Sequence, residues 1–390
     1  EIASCLVGSE MCIRDRRWMK RIGIICLIPV VLVILISILL YIPPFQNFAV
    51  RLATEYANET TGMNIRIGQI RLSFPLNLTV RDVKIITPPD TLLSLEGFQV
   101  NIRPLPLLKK EVLVDAIDLR GMKANTGNLI EGMEIKGTLG KLYAKADRID
   151  LGKEIARLNK IDLSDTAITL LINDTTTNKD TTSTTVGWKL KLDQIDLNRV
   201  AFAMQMPNDS LRLSTYIDKA GLTDGMVDLG SARYSASRFL LSGSSLSYDG
   251  SYSDPTPGFD PSHIALNDVN IRIDSLLYGG RDISVRIKEF SANDRSGLTL
   301  SSLTGDISSD STTIQVPELL LKTSYSEIRL LATVPWNSFD DTPSSTLRSL
   351  LTASVGKEDV FIFAGPLPKE FKQAYPQKAV SYTHLTLPTI

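Results

Sequence analysis

The sequence predicts a mainly β protein: an N-terminal transmembrane helix, a short amphipathic helix, then a long, twisted, groove-like sheet rich in antiparallel pairs. Three observations predict it. Ile22 to Ile42 is a run of 21 residues without one charge. Phe45, Phe48, Ala49, Leu52, Ala53 and Tyr56 then fall at the spacing of one helical face. From Met63 onward apolar residues recur at every second position, the period of a strand with one dry face and one wet face.

As a helix, Ile22–Ile42 would be about 31 Å long, close to the ~30 Å hydrocarbon core of a bilayer. Ile22, Ile28, Leu32, Leu35, Leu39 and Ile42 mark this anchor, and Pro29 is tolerable within it. A secretory signal peptide is the rival, but its apolar region runs only ~7–15 residues before a small-x-small cleavage site. Here the run is longer and ends in Ile42-Pro43-Pro44. Arg17, Lys20 and Arg21 precede the span, and no Lys or Arg follows until Arg51. Positive charge stays in the cytoplasm, so the expected protein is single-pass, with its N-terminus inside and its bulk exported.

Both ends are set aside. Residues 1–16, with Cys5-Leu6-Val7-Gly8-Ser9-Glu10-Met11-Cys12, resemble translated sequencing-adapter DNA, and so do residues 379–390, with Ser381-Tyr382-Thr383-His384-Leu385. The division expected is therefore 1–16 adapter, 17–43 anchor, 44–60 amphipathic helix, 61–378 β region and 379–390 adapter, the β region being truncated at its C-terminus. Of three cysteines, two then fall in the first adapter and Cys26 in the anchor, so the exported part has no thiol chemistry or disulfide. With 42 basic against 43 acidic residues, nothing points to nucleic acid.

The helix at 44–60 reads either as a cap on the first strands, the preferred role, or as a segment lying on the membrane surface. Asn58 and Gly62 supply its stop signals. Ile70, Leu72, Phe74, Leu76, Leu78 and Val80 alternate with polar residues, and Pro75 splits the run or marks an edge. Phe98, Val100 and Ile102 repeat the pattern, as do Trp188, Leu190 and Leu192, then Val200, Phe202, Met204 and Met206. Val269, Ile271 and Ile273, then Ile283, Val285 and Ile287, continue it. About fifteen strands are expected. Asn173–Thr185 and Tyr248–Pro261 read as loops, and Gly152–Asn159 and Pro368–Ala374 as short helices. Phrases such as Ile161-Asp162-Leu163 and Ile195-Asp196-Leu197 recur without a fixed period, which favours one extended sheet over a closed sandwich.

A search for chemistry finds no nucleophile elbow, phosphate loop, metal-spaced histidines or redox motif. His263, in a loop after Pro261-Ser262, reads as ordinary surface. No catalytic residue, metal or cofactor is expected. What remains is the apolar strand face. Its candidate members are Leu72, Phe74, Leu78, Val100, Ile102, Leu190, Val200, Phe202, Met204, Ile271 and Val285. In a sandwich it would be core; in an open tethered sheet it would line a groove able to shield acyl chains, each buried CH₂ gaining ~0.8 kcal/mol.

The order of features resembles the AsmA-like family, most closely the N-terminal part of its TamB-type translocation and assembly modules as found in Bacteroidota. The resemblance rests on the anchor, the helix Phe45–Asn58 and Thr61-Gly62-Met63-Asn64-Ile65-Arg66-Ile67-Gly68. Leu78–Ile85, Val100–Pro104, Leu119-Arg120-Gly121, Ala353–Asp359, Leu367–Phe371 and Tyr375-Pro376 extend it. It implies a bacterial inner-membrane anchor and a periplasmic groove reaching toward the outer membrane. It also implies phospholipid as a partner, with roles in lipid movement, or in outer-membrane β-barrel assembly and protein secretion. The outer-membrane partner would be met through a C-terminal region that this sequence lacks.

Overall fold

Each alternating run in the sequence pairs with the run that follows it. In the computed structural model the described residues are 38, 41–74, 76–87, 90–103, 106, 114–130, 132–150, 154–173, 187–339, 346–364, 373 and 378–388. Helix α1 (Pro43–Thr61) leads into β1 (Asn64–Ser73), β2 (Asn77–Thr87), β3 (Asp90–Ile102), β4 (Val114–Asn125) and β5 (Met133–Asp150). There follow β6 (Ile155–Ile172), β7 (Lys189–Met206), β8 (Leu211–Asp228), β9 (Arg233–Asp249) and β10 (His263–Gly279). The chain continues through β11 (Asp282–Asp294), β12 (Thr299–Ser309), β13 (Thr313–Thr323), β14 (Glu327–Pro335) and β15 (Thr346–Gly356), then helix α2 (Lys357–Ala364) and β16 (Lys378–Pro388). All sixteen strands form one open sheet in sequential order. Every neighbouring pair is antiparallel except β6 and β7, which run parallel.

Local chemistry accounts for most of these boundaries. β1 stops at Ser73 and β2 opens at Asn77, on either side of Pro75, which has no N–H for a ladder. Gly62 ends α1 in the left-handed region at φ 67°, its N–H returning to the Asn58 carbonyl. The expected loop at 248–261 is observed between Asp249 and His263. One expectation fails. Residues 155–159 of the helix expected at Gly152–Asn159 lie in β6, since pairing with β5 and β7 outweighs weak helical propensity there. The short α2 was not foreseen; its Glu358 and Asp359 sit in the first turn, where acidic groups favour a helix N-terminus. The helix expected at Pro368–Ala374 lies, except for Gln373, outside the described residues, as does the loop at 173–185 except for Asn173.

The strands are not plain alternation. Across β1 to β8 the ladder skips one pair per strand, along a single transverse line: Gly68 against Asp82, Asp82 against Glu96, Glu96 against Gly121, Gly121 against Gly140, Gly140 against Asp165, Asp165 against Arg199 and Arg199 against Asp218. Asp82, Gly121, Asp165 and Arg199 have φ between 52° and 61°. Such a skipped pair is a bulge-like crease: one residue of each strand drops out of the ladder, the register is the same on both sides, and the odd–even count of the face shifts. The glycines are needed for close approach, because a Cβ on Gly140 would lie 2.6 Å from the Asp165 Cβ. In β9 and β10 the same device recurs at Gly243 and Asp268, with φ 58° and 50°.

Contacts along the sheet are made between neighbouring strands, with no second layer stacked over the described strands. No large side chain among the described residues is fully buried. This is an open sheet, not a sandwich. Its two edges are covered differently. Along β1 lies α1, where the Gln46 side-chain amide donates to the Leu72 carbonyl at 2.9 Å, and the Ile65 N–H donates to Asn58 Oδ1 at 2.7 Å. Along β15 runs β16, in register from Thr346 opposite Pro388 to Gly356 opposite Lys378. The tail set aside in the sequence thus occupies the far edge; an unpaired edge is a ready template for an extended segment.

The predicted anchor Ile22–Ile42 lies almost wholly outside the described residues, and Ile22, Ile28, Leu32, Leu35 and Leu39 with it. Ile42 is the residue before α1, extended at φ −79° and ψ 124°. No helix among the described residues is long and apolar enough to cross a membrane.

Candidate functional site

Register turns the alternating residues into continuous rows. One row crosses all fifteen strands from β1 to β15: Leu72, Leu78, Val100, Ile117, Ala144, Ile161, Ile195, Leu222, Phe239, Ile273, Ile287, Gly305, Leu319, Leu330 and Leu351. Each faces the next directly across a strand pair, and every member is apolar or glycine. Fourteen steps of about 4.8 Å make this row roughly 67 Å long. Gly305 belongs there for space: a Cβ would approach the Glu318 carbonyl oxygen to 2.3 Å.

A second row lies on the other side of the bulge line and stays on the same face. Ile67, Val83, Leu95, Met122, Leu139, Thr166, Val200 and Ile217 run from β1 to β8. The residue after four of the positive-φ positions is among the least exposed on the sheet: Thr166 follows Asp165, Val200 follows Arg199, Ser244 follows Gly243 and Val269 follows Asp268. The hydroxyls of Thr166 and Ser244 are satisfied locally, each donating to the carbonyl two residues back at 3.2 Å. The bulges therefore bend the sheet without breaking its dry face.

Of the eleven residues singled out in the sequence, ten lie on this face. Leu72, Leu78 and Val100 share the long row, and Ile102 sits near its rim opposite Val114. Leu190 faces Val227, Val200 faces Ile217, Phe202 faces Thr215 and Met204 faces Leu213. Ile271 faces Leu241, and Val285 faces Ile307. Phe74 does not belong. It lies past the end of β1 in the turn, 83 % exposed, because Pro75 ends the alternation before Phe74 can join it. A concavity of about 330 Å³ opens on the sheet at β6–β10, lined among others by Ile168, Phe202, Thr215, Leu246 and Leu266.

The opposite face carries the charge. Lys141 meets Asp162 at 3.7 Å, Lys160 meets Asp196 at 3.8 Å, Arg238 meets Asp274 at 3.6 Å and Arg286 meets Asp306 at 3.0 Å. Arg199 reaches along the bulge line to hold Asp165 at 2.6 Å and 2.9 Å, and its guanidinium keeps that carboxyl below the usual carboxylate range. Exposed pairs of this kind add little stability each, but they mark the face as water-facing.

Reactive side chains gather at one place that sequence reasoning took for surface. His263 opens β10 and is only 4 % exposed. Its Nδ1 lies 3.0 Å from Asp260 Oδ2 and its Nε2 lies 3.4 Å from Ser251 Oγ. Asp260 also accepts the Thr256 N–H at 2.9 Å, the Thr256 hydroxyl at 3.0 Å and the Ser262 N–H at 3.0 Å. The Thr256 N–H is the main cause that holds the Asp260 carboxyl far below its ordinary range; burial opposes it, and His263 and Ser262 reinforce it. The carboxylate is thus consumed in stapling the 250–262 loop, and the histidine is sealed beneath that loop. The Pro261-Ser262 spacing gave no hint of this, since the staple depends on residues brought back from 251 to 260. Asp359 does the same for α2, accepting from the hydroxyls of Thr323 and Ser326. Among the described residues no group of three or more His, Cys, Asp or Glu is disposed to hold a metal. Neither a family model nor a curated protein matches this chain.

Proposed function

We propose that this chain is a membrane-tethered conduit whose dry sheet face shields the acyl chains of phospholipid in transit between two membranes. The observation that carries the reading is the apolar row from Leu72 to Leu351, unbroken over fifteen strands and, among the described residues, covered by no second layer. An apolar face of that length, left uncovered, costs ~25 cal/mol for each Å² it shows to water, and a lipid chain laid along it removes that cost. The reading is supported by the uncharged run Ile22–Ile42, which would serve as the tether, and by the basic residues on its N-terminal side, which favour a sheet outside the cytoplasm, as the resemblance to AsmA-like proteins implies. Headgroups would stay in water along the open side while chains lie in the groove. The test is to purify the full chain in mild detergent, extract it and weigh phospholipid per protein. Phe202→Asp puts a charge in the middle of the face and should lower bound lipid at least about tenfold while leaving the β signature in circular dichroism. Equal lipid in both proteins would refute the conduit.

A second reading has its own observation. β15 accepts an eleven-residue segment in full register, so the edge is competent for strand addition. On that reading the protein is a scaffold for outer-membrane β-barrel assembly, and the edge, not the face, meets the partner. A proline at Leu351 would then abolish function while Phe202→Asp would be tolerated.

A further inference from the structure

The apolar stripe of α1 does not face the sheet. Gln46, Val50, Thr54, Ala57 and Asn58 lie on the side turned to β1, and two hydrogen bonds tie that side to the strand: the Gln46 amide donates to the edge carbonyl of Leu72 and Asn58 Oδ1 accepts the N–H of Ile65. Phe48, Leu52 and Tyr56 stand on the opposite side, 63 %, 59 % and 71 % exposed. The cap role expected from the sequence is thus performed by the other face, because an edge strand needs hydrogen-bond partners more than it needs aromatic rings.

A second observation comes from the β1–β2 turn. The Gln46 bond to Leu72 brings the first turns of α1 beside the end of β1, two residues from Phe74. Phe74 is the most exposed large apolar residue described. Phe48 and Phe74 therefore belong to the same end of the molecule, where Ile42 leads in from the 21-residue uncharged run. Between Pro43 and Val50 there is no charge, and Arg51, Glu55 and Glu59 begin only farther along the helix. Apolar density rises toward the anchor and charge rises away from it.

We propose that the outer stripe of α1 and the Phe74 turn form a foot that sits in the headgroup–acyl boundary of the bilayer, with a lipid surface as its occupant. The inference rests on the tether reading above and adds where the sheet stands. Aromatic rings favour that boundary, and an amphipathic helix lies in it with its apolar side ~5–10 Å deep. The foot fixes the first strand edge at the membrane, so the dry face begins at the lipid instead of hanging at the end of a loose tether.

The test uses the full chain with Cys5, Cys12 and Cys26 replaced by serine, in phosphatidylethanolamine–phosphatidylglycerol vesicles. A nitroxide is attached in turn at Phe48→Cys, Leu52→Cys and Phe74→Cys, with Ser37→Cys in the anchor and Asp306→Cys on the wet face as references. The expected result is collision with lipid-soluble oxygen severalfold above collision with an aqueous nickel chelate at 48, 52 and 74, the reverse at 306, and oxygen dominance at 37. Nickel dominance at all three foot positions with oxygen dominance at 37 overturns the foot and leaves the tether standing. Nickel dominance at 37 as well overturns both. Dipolar broadening between foot labels without oxygen contact would assign the stripe to a second copy of the chain, and would equally overturn the proposal.

Discussion

The six central strands, β5 to β10, and the shorter strands on either side solve the same problem at different lengths. β5–β10 are 17 or 18 residues long, against 9 to 13 for the others. β1–β4 cross one bulge line, with further register shifts only near their ends, at Ile85/Ile86 and Asn101/Ile102. The long strands cross two, the second passing through Asp224 and Ser275, with φ 50° and 67°. In β7 the dry-face residues fall at 190, 192, 195, 197, 200, 202 and 204, and in β9 at 234, 236, 239, 241, 244, 246 and 248, all of them apolar but Ser244. Steps of two alternate with steps of three. Each three-step is a bulge that restores the side chain to the dry face after the backbone has bent. A strand of plain alternation as long as β7 would twist steadily; a creased one turns in two places and keeps its face.

The largest test of this difference acts on the parallel pair. β6 and β7 run side by side from Ile155 opposite Lys189 to Leu171 opposite Gln205, so the chain returns a whole strand length between Ile172 and Lys189. That length is about 56 Å along the strand. Seventeen Cα steps reach at most ~60 Å, and eleven reach ~40 Å. Deleting six residues between 174 and 185 should therefore forbid the observed register and unfold β6–β10, read as loss of the cooperative urea transition. The same deletion in the 250–262 loop, whose ends are adjacent, should leave the transition in place. An unchanged transition after the first deletion would refute the parallel pairing.

A smaller effect is expected on the bulge line itself. Gly140→Ala places a methyl 2.6 Å from the Asp165 Cβ and should cost about 1–3 kcal/mol in urea unfolding. Gly97→Ala meets nothing within 4 Å and should be neutral or slightly stabilising. Equal costs would mean that the line is no tighter than the rest of the sheet.

Acid should act next, on the loop that closes the long-strand block. The Asp260 carboxyl is held below its unfolded value near 3.9, so its contribution is complete above that pH and is lost as pH falls toward the folded value. Cleavage within 250–262 by an acid-tolerant protease should rise below about pH 4, and Asp260→Asn should show the raised cleavage already at neutral pH. The smallest effect belongs to Arg199→Ala. Its partner Asp165 is exposed, so the urea midpoint should move only slightly, and high salt should erase the difference.

The sequence made the sheet legible because half-wet strands announce themselves by period two, and Pro75 announced the first turn by its missing N–H. Ten of the eleven face residues followed from that period alone. Phe74 did not, because the alternation runs on in the letters beyond the proline that ends the strand. The bulges were half visible: Ile161-Asp162-Leu163 and Ile195-Asp196-Leu197 are the segments that come just before a three-step, and Asp165 is a residue type that tolerates positive φ, but Arg199 carries no such signal. Nor could the sequence say that α1 would turn its polar side to β1, since that choice belongs to the edge it covers. The Asp260 staple was invisible for the same reason, being made by backbone N–H groups that only the folded loop brings together.

The measurement that bears most directly on the conduit is photo-crosslinking across a bulge in β7. Crosslinkers at Leu197 and Phe202 lie on the dry face on either side of Arg199, one at an odd position and one at an even, while Asn198 and Ala203 lie on the wet face. The account predicts phospholipid adducts at 197 and 202 and none at 198 or 203. Adducts that follow one parity through the whole strand, or none at any of the four, would contradict it.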